Sequence, residues 1–178
     1  MKIGLLFGSF NPIHIGHLAI ADYIAENTDL NRIWLVVSPQ NPLKEKNTLA
    51  DAKIRLAGVK KAVAGNSKIR VSNIEFSLTV PSYTFDTLEA LKKKYPQHTF
   101  VLIIGSDNLS IFHKWKDYKK ILSNYKIYVY PRAGSDGGKL KNHRNVKLID
   151  APLLEVSSTF IREQMKKGKD ISYLLPAK

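Results

Sequence analysis

At 178 residues the chain is long enough for one well-cored domain and too short for two comfortable ones. With 44% hydrophobic and 24% charged residues the composition is globular, and the absence of cysteine excludes a disulfide framework, a thiolate zinc site and a cysteine nucleophile. The formal net charge of +13 suits nucleic acid, a small polyanion such as a nucleotide, or simply a lysine-rich solvated surface.

Short β-branched runs alternate with helical periodicity along the chain. KIGLLFG (2–8) predicts a buried strand, and HLAIADYIAEN (17–27) a helix with apolar spacing of three and four. RIWLVVS (32–38) is the next strand, followed by the polar, proline-bearing loop 39–48. Thr48 and Asp51 fit a capping pattern for a helix over 50–65. KIRVSNIEF (68–76) predicts a strand and TFDTLEALKKKYP (84–96) a helix closed by Pro96. TFVLIIG (99–105), KIYVYP (126–131) and NVKLID (145–150) predict three more strands. A last helix over 157–168 ends at Gly168, a residue type favoured just past helix C-termini.

This alternation predicts an α/β fold: one Rossmann-like parallel sheet with helices on both faces, in a single domain over 1–178. Ligands of such sheets bind beyond the carboxyl ends of the strands, at helix N-termini. No apolar run reaches the roughly 18 residues of a membrane span, and the short apolar N-terminus does not read as a signal peptide. The expectation is a soluble, unprocessed domain in a reducing cytoplasm, with no membrane partner. The lysines are scattered over separate elements, as in LKKKYP, HKWKDYKKIL and KLKNHRNVK, and no zinc finger or RNA-recognition motif appears; no nucleic-acid partner is expected.

The passage FGSFNPIHIGH (7–17) runs from strand through turn to helix. Gly8 ends the strand without a side chain, Pro12 stiffens the loop, and Gly16 opens space between His14 and His17. The two histidines could be metal ligands, core residues or donors to a phosphate. The free amides of the incoming helix favour an anion at the same spot, and imidazole donors strengthen as phosphoryl oxygens gain charge. The loop is neither a Walker A motif nor a G-x-G-x-x-G fingerprint, and H-x-x-H lacks the H-E-x-x-H arrangement of zinc peptidases.

GSFNPIHIGH resembles the signature of the HxGH nucleotidyltransferases, which join a nucleotide α-phosphate to an acceptor phosphate and expel pyrophosphate. With VPSYTFDTLEAL (80–91), IIGSDNLSIFHKW (103–115), YPRAGS (130–135) and EVSSTFIREQMKKGKDISYLLP (155–176), nearly the whole chain is similar to nicotinate mononucleotide adenylyltransferases. The resemblance implies adenylyl transfer from ATP to nicotinate mononucleotide, giving deamido-NAD and pyrophosphate in NAD biosynthesis. Mg²⁺ is expected to arrive on the ATP phosphates, largely through waters, with no protein metal site. His14, His17 and Arg162 are implied as the catalytic set. ATP is implied to meet Gly8, Ser9, Phe10 and His17, with Gly105 and Asp107 beside the ribose and Ser157, Ser158, Thr159 and Arg162 on the phosphates. Ser82, Tyr83 and Thr84 would bind the nicotinate half, the backbone amides around Thr84 receiving the pyridine carboxylate and the Trp115 ring stacking on the pyridine. Asn11, Lys44 and Arg132 complete the acceptor set. The chain departs from the family at Ser9 and Asn11, where a glycine and an aspartate are frequent, and at NPLKEK, where PPHK is common; Lys44 and Arg132 are the replacement cations.

Each feature also has a plainer reading. Ser157 can be an ordinary helix cap with Arg162 on the surface, Asp107 and Thr84 can cap helices, and Trp115 can be core. The rival functions are the same transfer to nicotinamide mononucleotide or phosphopantetheine, and a nucleic-acid or nucleotide-binding module with a degenerate site.

Overall fold

The computed structural model describes residues 1–40 and 49–177. Strands β1 (Lys2–Gly8), β2 (Arg32–Val37), β3 (Ile69–Ser72), β4 (Thr99–Gly105), β5 (Lys126–Tyr130) and β6 (Val146–Leu148) form one sheet. All pairs are parallel, and the spatial order is β3-β2-β1-β4-β5-β6. The strand order reverses direction between β1 and β4, which opens a crevice beyond Gly8 and Gly105. The expected Rossmann-like α/β architecture is what forms.

Helices α1 (Ile15–Asn27), α2 (Ala52–Ala62), α3 (Thr84–Lys94), α4 (Ser106–Ser110), α5 (Tyr118–Asn124) and α6 (Ser158–Lys166) cover the sheet. The period of two along the strands divides the core. Leu6, Val101 and Ile103 pack on one face with Ile20 and Ile24 of α1 and Val59 of α2. Ile3, Leu5, Leu102 and Ile104 pack on the other with Leu88 and Leu91 of α3, Phe112, and Ile121 of α5. Strands buried on both faces explain why the sequence reads as apolar runs without alternation. Among the described residues no helix is long and apolar enough to cross a membrane.

Several boundaries differ from the expectation. α1 starts at Ile15 rather than residue 17, with His14 as its N-cap and His17 in its first turn. The capping pattern at Thr48 lies outside the described residues; the helix starts at Ala52, where the Asp51 carboxylate accepts from the amides of Lys53 and Ile54 at 2.8 and 3.2 Å. β3 stops at Ser72, and Ile74–Ser77 wind into a 3-10 turn that carries Glu75 inward to 1% exposure. Thr84 is the first residue of α3, and Tyr83, not Thr84, occupies its N-cap position. α5 has no counterpart in the periodicity reading, because seven residues are too few to show one. α6 ends as expected: the Gly168 amide donates to Met165 and the Lys169 amide to Gln164, with Gly168 at φ 66°, a Schellman closure.

Candidate active site

The crevice holds two chambers that share Phe7, Asn108 and Tyr130 as walls. The larger, about 370 Å³, is lined by Gly8, Ser9, Phe10, His14, His17, Asp107, Arg132, Ser157, Ser158, Thr159 and Arg162. The smaller, about 170 Å³, is lined by Ser82, Tyr83, Thr84, Gly105, Lys114, Trp115 and Lys116, with Glu75 and Ser38 at its walls. The fold therefore gathers the expected nucleotide residues other than Gly105 into one space and Ser82, Tyr83, Thr84 and Trp115 into the next; Gly105, expected beside the ribose, lines the smaller chamber instead.

In the histidine chamber α1 sets the geometry. His14 has extended backbone angles at the N-cap, and its amide donates to His17 Nδ1 at 3.3 Å. A ring nitrogen that accepts carries no hydrogen, so neutral His17 bears its proton on Nε2. The two imidazoles stack with centroids 3.7 Å apart, and the Phe10 ring meets His17 edge-on at 5.0 Å. Gly16 leaves room here: a Cβ would stand 3.1 Å from His14 Nδ1, a tight contact that would press on the ring. At the end of β1 a Cβ on Gly8 would strike the Phe10 ring at 2.8 Å.

The turn between β1 and α1 is held by its carbonyls. Ser38 donates its amide to Gly8 O at 3.0 Å, Arg162 Nη1 donates to Asn11 O at 2.7 Å, and Ser158 Oγ donates to Pro12 O at 2.9 Å. Arg162 Nη2 also reaches Thr159 Oγ1 at 3.2 Å. Ser157 is a helix cap, as its plainer reading held, accepting from the Phe160 amide at 3.1 Å, and it also lines the chamber. With these carbonyls taken by protein donors, their negative ends are committed away from an anionic ligand.

His14 is 3% exposed, and its Nδ1 has no hydrogen-bond partner among the described residues. Burial, and then the nearby Arg132 guanidinium, push its pKa down from 6.5 to about 4. The ring is therefore neutral at pH 7 and acts as a neutral donor until an anion beside it favours the charged form. The linkage sign follows. Between pH 6.5 and 4 the unfolded chain holds the extra proton, so stability falls as pH drops through that window, by up to about 1.4 kcal/mol per pH unit. Urea midpoints at pH 7 and pH 5 check this: His14→Gln is expected to flatten the pH dependence, and an unchanged slope would contradict it.

Arg132 lies in the histidine chamber, apart from Tyr83, Thr84 and Trp115. Its Nε stands 4.0 Å from Asp107 Oδ2 and its Nη1 donates to Leu154 O at 3.3 Å. Buried Ser106 holds it from behind, accepting from the Arg132 amide at 2.9 Å and donating to Ser135 O at 2.9 Å. A Cβ on Gly105 would meet Arg132 Cγ at 2.8 Å, so the glycine permits this approach. Asn11 is 6% exposed and accepts from the Ala50 amide at 3.2 Å; neither chamber includes it among its lining residues. Lys44 lies outside the described residues.

In the tryptophan chamber the Trp115 ring packs on Phe112 at 4.9 Å and its buried Nε1 has no partner among the described residues. Lys116 Nζ sits 4.7 Å over the Tyr83 ring and 2.9 Å from Asp86. The Ser82 hydroxyl donates to Glu75 Oε2 at 2.6 Å, and Thr87 Oγ1 donates to Glu75 Oε1 at 2.8 Å. Ser82 therefore spends its hydroxyl proton on Glu75 rather than on a ligand. Sequence reasoning missed Glu75, Ser106, Asn108, Tyr130 and Lys116. Glu75 was legible only as a strand residue, because the 3-10 turn that buries it has no periodic signature. No three His, Asp or Glu side chains among the described residues converge on one point.

A parallel sheet with paired histidines lining a nucleotide-sized cavity is the arrangement a nucleotidyltransferase needs, and the family profile "Cytidylyltransferase-like" matches residues 5–164. Two curated relatives carry the name probable nicotinate-nucleotide adenylyltransferase. That of Cytophaga hutchinsonii is 55% identical over 98% of this chain and 91% of its own length; that of Flavobacterium johnsoniae is 55% identical over 100% and 93%. The chain belongs to the cytidylyltransferase-like family and, within it, to the nicotinate-nucleotide adenylyltransferases. Among solved structures, Plasmodium falciparum nicotinic acid mononucleotide adenylyltransferase complexed with NaAD superposes with a TM-score of 0.82 at 24% identity, covering 97% of this chain and 87% of the other. At that identity the likeness establishes the fold.

Proposed function

We propose that this chain transfers the adenylyl group of ATP to nicotinate mononucleotide, forming deamido-NAD and pyrophosphate in NAD biosynthesis. The observation that carries the reading is the pair of adjoining chambers, one walled by the histidines and the Ser157–Arg162 turn, the other by Tyr83, Thr84 and Trp115. A dinucleotide has two unlike halves joined through phosphates, and the shared wall is where that junction falls.

An oxygen of the acceptor phosphate bonds to the α-phosphorus of ATP, while the bond from that phosphorus to the bridging oxygen of pyrophosphate breaks and its electron pair leaves with pyrophosphate. The acceptor phosphate is already anionic, so no general base is needed. Catalysis then rests on positioning and charge stabilisation. His14 and His17 donate to the α-phosphate oxygens, and Arg162 and the N-terminus of α6 receive the departing phosphates. Arg132, with Asp107, occupies the boundary toward the ribose and acceptor phosphate. Mg²⁺ enters as part of the ATP substrate, held by the phosphates and water. The enzyme acts as a single domain in the cytoplasm, and its formal net charge of +13 attracts anionic substrates.

In the smaller chamber the pyridine stacks on Trp115 and its carboxylate meets the amides about Thr84. Aromatic stacking of a base contributes about 1–3 kcal/mol, so Trp115→Ala should raise KM for nicotinate mononucleotide roughly 5- to 150-fold while leaving KM for ATP near the wild-type value. Steady-state kinetics with each substrate varied in turn checks this, and equal effects on both would remove the ring from the acceptor site. The reaction itself is tested with ATP labelled in its α-phosphate: the label is expected in deamido-NAD, and its appearance in pyrophosphate or inorganic phosphate would contradict the transfer.

A further inference from the structure

Arg55 lies on α2 and is 4% exposed, although burying a guanidinium costs several kcal/mol unless its donors are matched. Its hydrogen bonds among the described residues go to four backbone carbonyls: Nε to Ala50 at 2.9 Å, Nη1 to Ser9 at 2.5 Å and Ser38 at 2.9 Å, and Nη2 to Pro39 at 2.7 Å. The neighbouring carboxylate, Asp51, is spent on capping α2. Burial pulls the guanidinium pKa down from its ordinary value, with Asp51 opposing, and a guanidinium keeps its proton in proteins, so the group is a cation.

The four carbonyls come from three separate segments: the turn after β1, the turn after β2 and the approach to α2. Ser9 is a wall of the histidine chamber and Ser38 a wall of the tryptophan chamber. A single nitrogen, Nη1, binds both, so one planar group in a fixed fork ties these two walls together beyond the end of the β1–β2 ladder. The Ser38 amide on Gly8 O adds one further tie between the same turns. Arg55 also turns the Ser9 and Ser38 carbonyls onto a cation, which keeps their negative ends from facing substrate phosphates. Arg162 does the same for Asn11 from the other side of the first turn.

We propose that Arg55 is a positioning residue for the transfer: without touching substrate, it fixes the spacing of the two chambers and thereby the approach of the acceptor phosphate to the α-phosphorus. The inference rests on the adenylyl-transfer reading above. Its signature is a loss in kcat that exceeds any loss in binding, because each chamber remains intact and only their mutual placement loosens. A misplacement of about 1 Å costs on the order of 10²-fold in rate.

The test compares wild type with Arg55→Met and Arg55→Lys, reading kcat per folded molecule in the ATP and nicotinate mononucleotide assay. Calorimetry gives the Kd of nicotinate mononucleotide alone and of a non-hydrolysable ATP analogue alone. Arg55→Met should lose about 10²-fold in kcat with each Kd changed less than about threefold. Arg55→Lys, which keeps the cation but not the fork, should lose about tenfold. If the methionine variant gives no cooperative thermal transition, the lysine variant decides. A kcat per folded molecule within about twofold of wild type in Arg55→Lys overturns the proposal, as does unchanged kcat with Kd values raised in step with KM. Wild-type protein inert with both substrates would instead sink the underlying transfer reading, and the inference with it.

Discussion

Replacing His17 by alanine is expected to lower kcat by roughly 10²–10³-fold, the scale for removing one preorganised donor to a developing charge. The geometry explains why the loss should fall on turnover. His17 sits in the first turn of α1, its Nδ1 fixed by the His14 amide at 3.3 Å and its ring held between His14 and Phe10. The tautomer is thereby chosen, and the Nε2 proton belongs to a ring that need not reorganise during reaction. Charge grows on the α-phosphate oxygens only as the transition state forms, so the donor strengthens there rather than in the ground state. KM for ATP should change little. The variant also loses the side-chain acceptor for the His14 amide, so a thermal melt alongside the kinetics separates a loosened helix start from lost catalysis. Near-normal kcat in a folded variant would remove His17 from the mechanism.

Arg162→Met should be nearly as costly, with kcat/KM for ATP down by about 10²–10³-fold. Two losses combine in it. The cation that lines the histidine chamber disappears, and the 2.7 Å bond to Asn11 O goes with it, freeing a carbonyl in the turn that carries Phe10. Phe10 has φ 46° and is 2% exposed, so this non-glycine residue is held in a left-handed conformation by its surroundings. Arg162→Lys keeps the charge but not the fork, so it should recover only part of the loss. Steady-state kinetics on both variants decides: full activity in Arg162→Lys would reduce the role to charge alone, and full activity in Arg162→Met would leave the arginine outside the reaction.

The strands and the first and last helices were legible because buried parallel strands read as apolar runs and because caps and glycines mark helix ends. His14, His17 and the Ser157–Arg162 turn were legible for a related reason: short motifs at strand-to-helix junctions fall where this fold places its ligands. Arg55 was not. It stands 46 residues from Ser9, and its partners are carbonyls, which carry no residue identity to read. Arg55 and Val59, four residues apart, form the buried face of α2 while apolar Ile54 is 68% exposed, so residue polarity pointed to the wrong face. Glu75 was hidden because a 3-10 turn interrupted the expected strand. His14 could be placed but not its charge, since the neutral ring follows from burial and from Arg132, which only the tertiary structure brings near. Ser82 lines the smaller chamber, but its commitment to Glu75 depends on a contact that spacing does not reveal.

The central claim is that the smaller chamber takes a pyridine acid and the larger one the adenylate. The most direct measurement is pyrophosphate release from ATP and Mg²⁺ with nicotinate mononucleotide and nicotinamide mononucleotide offered in parallel, both acceptors at matched concentration. A rate with the acid well above that with the amide is the predicted result. A preference for the amide would contradict the acceptor assignment while leaving the histidine chemistry in place, and release with neither would contradict the whole account.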